Sequence, residues 1–225
     1  MLRTTVLLAA ILMYPAYQGS GFRSSPRRIS RGELCVTEGE IGAQGSGQLR
    51  VDDSKMRAYT AFRTSQVAEL RFSYLGPTEE VSKLGSGSVR QQLGLKLRAQ
   101  DACNLVYVMW RISPESKLVA SVKRNPGKQT SAECGNQGYR NVKPQRSIPV
   151  PALTPGSSHL LRAEMQEDHL SVLADRILVW EGSLGNDALS LDGPVGMRTD
   201  NVRLTFEFFA DPSAPTKLPC VRGNE

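Results

Sequence analysis

At 225 residues the chain is long enough for one large all-β domain or two small ones. An apolar share of 40% beside 22% charged residues allows a sizeable core and excludes wholesale disorder. The net charge of +6 points to acidic partners: a polyanionic glycan, an anionic envelope surface or nucleic acid.

The chain opens as an export signal. Met1-Leu2-Arg3 is a short basic start, Thr4 to Tyr14 is an apolar run, Pro15 breaks it, and the small residues Ala16, Gly19, Ser20 and Gly21 follow. That is the layout of a secretory signal peptide over residues 1–20, with cleavage near Ser20, and the run is too short to span a bilayer. No later stretch is apolar for long enough to cross a membrane, so no integral segment is expected after cleavage and the mature product is expected to be secreted, periplasmic or extracellular. Residues 21–32 (GFRSSPRRISRG) are polar and basic with a proline, and read as a linker to a single domain over 33–221.

Short strands then follow in close succession. Glu33–Glu38 carries Leu34 and Val36; glycines at 39, 42, 45 and 47 mark a loop; Leu49–Val51 and Lys55–Tyr59 flank the turn Asp52-Asp53-Ser54. Two adjacent Asp residues suit a turn, and a calcium site is not supported by them alone. Ala68–Leu75 alternates cleanly, with Ala68, Leu70, Phe72 and Tyr74 on one face and Glu69, Arg71 and Ser73 on the other. A polar loop over 76–88 leads to Val89–Ala99, where Leu93, Leu95 and Leu97 face inward and Gly94, Lys96 and Arg98 outward. Asn104–Ile112 is apolar on both faces, as a central strand should be, and Lys117–Arg124 is its hairpin partner. Residues 130–155 carry two glycines and four prolines, and read as irregular chain with one edge strand near Ile148–Val150.

The clearest pattern runs from 158 to 210. Leu161, Ala163 and Met165 alternate with Arg162, Glu164 and Gln166. Glu167-Asp168 and Ala174-Asp175-Arg176 break the run into three strands in hairpin order. Gly193-Pro194 restarts the chain as Val195–Arg198 and Arg203–Phe209. About a dozen short strands with Gly and Pro between them, and no sustained helical period, predict an all-β sandwich.

This stretch resembles a known family. L-x-A-x-M-x-E-D-x-L-x-V-L-A-D-R-I-L-V-W-E-G, a loop, then G-P-V-G-M-R-T-D-N-V-R-L-T-F-E-F is similar to the C-terminal half of concanavalin A-like lectin/glucanase (laminin G-like) domains. The resemblance implies a two-sheet antiparallel jelly-roll sandwich, with a glycan site on one sheet face or in the rim loops. It implies no activity, because the fold hosts hydrolases, lyases, lectins and adhesion modules. Four cysteines in an exported chain favour disulfides, and without a C-x-x-C and with only two histidines no zinc site is expected. Three pairings are open; the jelly roll, which brings its terminal strands together, selects Cys35–Cys220 and Cys103–Cys134.

The motifs of catalysis are missing. Laminarinase-like hydrolases of this fold set alternate carboxylates on one strand as E-x-D-x-E or E-x-D-x-x-E, and no such run occurs here. Glu79-Glu80 and Glu167-Asp168 are adjacent, so on a strand they would face opposite ways. The Q-[IV]-H strand of alginate lyase-like enzymes stops at Gln92-Leu93-Gly94. His159 and His169 belong to no nucleophile motif and read as surface residues. No catalytic residue is therefore assigned, and no cofactor is expected. A binding face is assigned instead: if the strands are neighbours, Arg71, Lys96, Arg98, Arg111 and Lys123 surround Tyr107. Cations around an aromatic suit an acidic sugar chain, guanidiniums taking carboxylate or sulfate and the ring taking a sugar face. Trp110 and Trp180 fall with the apolar sets and are expected in the core. The expected function is an exported, non-catalytic carbohydrate-binding or envelope-interaction module. A glycan-active hydrolase or lyase of the same fold and a purely structural domain are the alternatives; nucleic acid is not an expected partner.

Overall fold

The computed structural model describes residues 26–220, so the leader and the first part of the linker, residues 21–25, lie outside the described residues. Among the described residues sixteen strands pair antiparallel in two sheets. They are β1 Arg27–Ile29, β2 Leu34–Glu38, β3 Gly42–Ala43, β4 Leu49–Val51, β5 Lys55–Thr60, β6 Phe62–Pro77, β7 Gln91–Leu97 and β8 Leu105–Ser113. After them come β9 Lys117–Lys123, β10 Tyr139–Asn141, β11 Arg146–Ser147, β12 Ser158–Gln166, β13 His169–Ala174, β14 Ile177–Ser183, β15 Gly196–Asp200 and β16 Val202–Lys217. Two single-turn helices, α1 Ser131–Cys134 and α2 Asn186–Leu189, and 3-10 turns at Arg31–Glu33 and Gly45–Gly47 complete the regular structure of the described residues.

One sheet runs β11-β14-β13-β12-β6-β16-β4-β3, with β1 also paired to β16; the other runs β10-β9-β8-β7-β15-β5-β2. The long β6 and β16 form the spine of the first sheet, register Phe72 against Phe206 and Leu70 against Phe208. Period-two alternation delivers the core: Leu70, Phe72, Leu161, Ala163, Leu204, Phe206 and Phe208 from one sheet meet Met56, Ala58, Leu93, Leu95, Val106, Val108, Trp110 and Met197 from the other. Phe72 and Trp110 touch edge to face across the gap, with centroids 5.9 Å apart. Both tryptophans are buried. Fully burying a side chain of this size contributes about 1.5–3 kcal/mol, so the interdigitated layer is the main source of stability.

Both disulfides form as the jelly roll implies. Cys35–Cys220 ties β2 to the chain end, and Cys103–Cys134 ties the β7–β8 connection to α1. Several boundaries differ from the sequence reading. Residues 27–29, read as linker, pair with β16 because Ile29 is an apolar residue that packs into the core, 2% exposed. The edge strand expected near Ile148–Val150 is instead Arg146–Ser147 on β14, and Tyr139–Asn141 adds a second edge strand to the other sheet. Ile148 still donates to the Val179 carbonyl at 3.1 Å, but Pro149 and Pro151 have no N–H to carry the ladder further.

Candidate functional site

The outward face of the seven-stranded sheet carries the site, and strand register sets its layout. One row across the strands reads Lys55, Asp200, Gln92, Arg111; the next reads Arg57, Arg198, Gly94, Met109, Val119; the third reads Tyr59, Gly196, Lys96, Tyr107, Ser121, Asn141. Tyr139 lies beyond, opposite Lys123. Two loops wall this face. Residues 78–90 bring Leu84, Gly85 and Ser86, and residues 124–138 bring Ser131, Gly135 and Asn136. The loops meet: a Cβ built on Gly85 would sit 3.6 Å from the Asn136 Cβ. They enclose a cleft of about 440 Å³, lined by the cations Lys55, Arg57, Arg90, Arg111, Lys123 and Arg198 and by a single carboxylate, Glu38.

Beneath the cleft lies a buried charge cluster. Asp200 is fully buried and accepts hydrogen bonds from Arg57 Nη2 at 2.5 Å, Gln92 Nε2 at 2.6 Å and Arg198 Nε at 2.9 Å. Burial alone would push its carboxyl up; Arg57 and Arg198, helped by the bonds from Arg198 and Gln92, outweigh that and hold it well below the usual carboxylate range. Arg57 Nη1 donates to the carbonyls of Met56 and Thr199, at 2.9 and 2.6 Å, and its Nε lies 3.7 Å from Glu38 Oε2. Gln92 Oε1 stays buried without a hydrogen-bond partner, an open acceptor at the cleft floor.

An aromatic stack stands on this floor. The Tyr107 and Tyr139 rings are stacked with centroids 5.9 Å apart and 21° between planes. Arg198 lies 5.0 Å over Tyr107, and the Lys123 ammonium 5.1 Å from the Tyr139 ring. Gly94 makes the arrangement fit, since a Cβ there would sit 2.1 Å from the Val108 carbonyl oxygen and 2.8 Å from the Met109 sulfur. Tyr139 keeps 38% of its surface exposed at the rim, whereas Tyr107 is buried. The loop that carries Tyr139 is tightly held. Asn125 donates to the carbonyls of Cys103 and Gln137, Asn104 accepts from the Asn125 amide, and Glu133 caps α1 from Thr130.

Three of the six residues assigned to a face from sequence, Tyr107, Arg111 and Lys123, line this cleft. Lys96 shares the face but is buried and borders a neighbouring cavity of about 390 Å³, together with Tyr59, Asp101 and Pro219. Arg71 and Arg98 do not belong to it. Arg71 sits on β6 in the other sheet, over the Phe209 ring and paired with Glu69 at 2.7 Å. Arg98 lies just past the end of β7 with φ +47°, and its guanidinium caps the α2 carbonyls of Ala188 and Leu189 and reaches Glu167. Arg57, Arg90, Gln92, Tyr139, Arg198 and Asp200 were missed. The alternation Lys55-Met56-Arg57-Ala58-Tyr59 already placed Arg57 opposite the apolar set, but nothing local shows that β5 lies next to β15 and β7.

The histidine reading also changes. His159 is no free surface residue: its side chain is 13% exposed, Nδ1 lies 2.8 Å from Asp175 Oδ2 and Nε2 lies 3.0 Å from Ser157 Oγ. The Ser157 hydroxyl donates to the Thr154 carbonyl at 2.6 Å, so its proton points away from the imidazole. The trio pins the start of β12 to the β13–β14 turn, with the ring edge-on to Trp110.

The chain has the concanavalin A-like jelly-roll fold of lectins and glucanases. A carbohydrate-binding module from Bacillus subtilis superposes with a TM-score of 0.52 at 12% identity, covering 77% of this chain and 91% of that one. A putative beta-glucanase from Mycobacterium abscessus follows at 0.45, with 11% identity over 76% and 77% of the two chains. The Caenorhabditis elegans galectin LEC-6 gives 0.41, with 9% identity over 80% and 98%. No family model and no curated protein sequence matches the chain.

Proposed function

We propose that this protein is an exported carbohydrate-binding module that holds an acidic glycan in the cleft on its seven-stranded sheet. The observation that carries this reading is the pairing of Tyr107 and Tyr139 with six lining cations in one cleft of about 440 Å³. Aromatic faces suit the C–H faces of a pyranose, guanidiniums suit carboxylate or sulfate, and the open Gln92 Oε1 suits a sugar hydroxyl. Export is supported by the leader-like N-terminus and by two disulfides, which persist in oxidising compartments. Among the described residues no helix is long and apolar enough to cross a membrane.

A non-catalytic role is part of the proposal. Glycoside hydrolysis uses two carboxyl groups about 5 to 10 Å apart. The cleft and its floor hold two carboxyl groups, and both are engaged: the oxygens of Asp200 are taken by Arg57, Gln92 and Arg198, and Glu38 Oε2 faces Arg57 Nε at 3.7 Å.

A glycan array probed with the mature protein, followed by titration of each hit, tests this reading. Uronic acid-containing or sulfated glycans should bind, neutral analogues should bind at least tenfold more weakly, and Tyr139→Ala should weaken every hit at least tenfold. Reducing-end and unsaturated-product assays on the same hits should stay silent. Binding confined to duplex or single-stranded nucleic acid, or turnover of a hit, would replace this function with another.

A further inference from the structure

Five of the six cations of the cleft, Lys55 aside, fall into two groups. Arg57 and Arg198 are compensated by Asp200, and Lys123 donates to the Ala102 carbonyl at 2.9 Å. Arg90 and Arg111 are held differently: neither has a close carboxylate partner, and Glu115 offsets the Arg111 charge only in part. Arg111 Nε is buried without a hydrogen-bond partner, and among the described residues neither guanidinium enters an ion pair. Glu115, the carboxylate nearest in the chain to Arg111, is bonded to Lys117. The two guanidiniums repel: burial first, and Arg90 second, lower the affinity of Arg111 for its proton, and Glu115 opposes them more weakly. Both line the cleft, and Arg111 shares its cross-strand row with the open acceptor Gln92.

Two half-buried, mutually repelling guanidiniums with an orphaned donor are what remains when an anion is taken out of a bidentate site. We propose that Arg90 and Arg111 form the anchor for a single anionic substituent, sulfate or carboxylate, of the sugar that lies against Tyr139. This rests on the glycan reading above and adds to it the residues that discriminate charged from neutral sugars. The Asp200 cluster and the tyrosines then act as a prebuilt floor for any pyranose, and the arginine pair reads the charge.

The test reads the arginines directly. In ¹⁵N-labelled protein, the Arg111 Nε–Hε resonance, assigned with Arg111→Gln, is followed while inorganic sulfate, acetate or chloride is added at constant ionic strength. Sulfate or acetate should shift it saturably and chloride should not, and Arg90→Gln should weaken the response at least tenfold while the backbone spectrum stays native. A resonance indifferent to both oxyanions, or moved equally by chloride, overturns the anchor. In the second arm, sulfated cellotetraose should bind at least tenfold more tightly than unsulfated cellotetraose, and Arg90→Gln should remove that difference. Equal binding of the two sugars also overturns the anchor, leaving a sugar site without charge discrimination. A saturable sulfate response with neither tetraose bound keeps the anchor for an anion and sinks the glycan reading alone.

Discussion

Replacing Asp200 by Asn should be the most damaging single-atom change in the molecule outside the core. The carboxylate is fully buried, Arg57 is 5% exposed, and the Arg198 side chain is 12% exposed. At an effective dielectric of about 20, each charge pair separated by about 4 Å is worth about 4 kcal/mol, so two guanidiniums contribute about 8 kcal/mol gross. Burying the three charges costs several kcal/mol of that, and breaking such a cluster from one side typically loses about 3–5 kcal/mol. Asparagine keeps the shape and leaves two buried cations facing a neutral amide. In a domain of this size about 3–5 kcal/mol lowers the melting temperature by roughly 10 °C. Urea and thermal unfolding followed by tryptophan fluorescence, which reports the core residues Trp110 and Trp180, measure both quantities. The variant should also lose glycan binding at temperatures where it is still folded, because Arg198 is released from Tyr107. A loss below about 1 kcal/mol with unchanged binding would refute the idea that Asp200 holds the floor of the cleft.

Three further outcomes follow from the same geometry. Gly94→Ala places its Cβ against the backbone of Val108 and Met109, atoms that cannot move aside, and should cost about 2–3 kcal/mol by thermal melting while perturbing β7 and β8 in hydrogen exchange. Opening the Cys103–Cys134 loop, of sequence separation 31, with paired Ser substitutions should cost up to about 4 kcal/mol in denaturant unfolding and should weaken glycan binding more than Cys35→Ser/Cys220→Ser does, since Cys134 anchors the wall that carries Tyr139. On acidification, two depressed carboxyls should resist. Glu33, held to about 2 by its hydrogen bond from Arg27, stabilises β1 above its ordinary value of 4.5 and loses that contribution as pH falls toward 2. Asp200 likewise keeps its contribution through the ordinary carboxylate range and loses it only below that range, so carboxyl NMR titration should show Glu33 with a midpoint near 2 and Asp200 still ionised there.

Much of the fold was legible because its information is local. Alternation at Leu93-Leu95-Leu97, Val106-Val108-Trp110 and Leu161-Ala163-Met165 placed each of these strands the right way round, and both disulfides followed from the architecture. The site was half legible for the same reason. Parity put Tyr107, Arg111 and Lys123 on one face correctly. It could not say which strands are neighbours, and so Arg71, one sheet away, was grouped with them, while Arg198 and Asp200, about a hundred residues downstream of Gln92, were not. Arg98 failed at a boundary: the strand ends at Leu97, and a left-handed residue turns the side chain toward α2. His159 was misread because its partners Ser157 and Asp175 meet only once three hairpin strands are paired.

The central claim is that sugars meet this protein on the outward face of the seven-stranded sheet. Backbone amide shift mapping during titration with the tightest array hit tests it most directly. The account predicts changes concentrated in β5, β7, β8, β9, β10 and β15 and in the loops 78–90 and 124–138, with the nine-stranded sheet silent. Changes centred instead on β6, β12, β13 and β16 would contradict it.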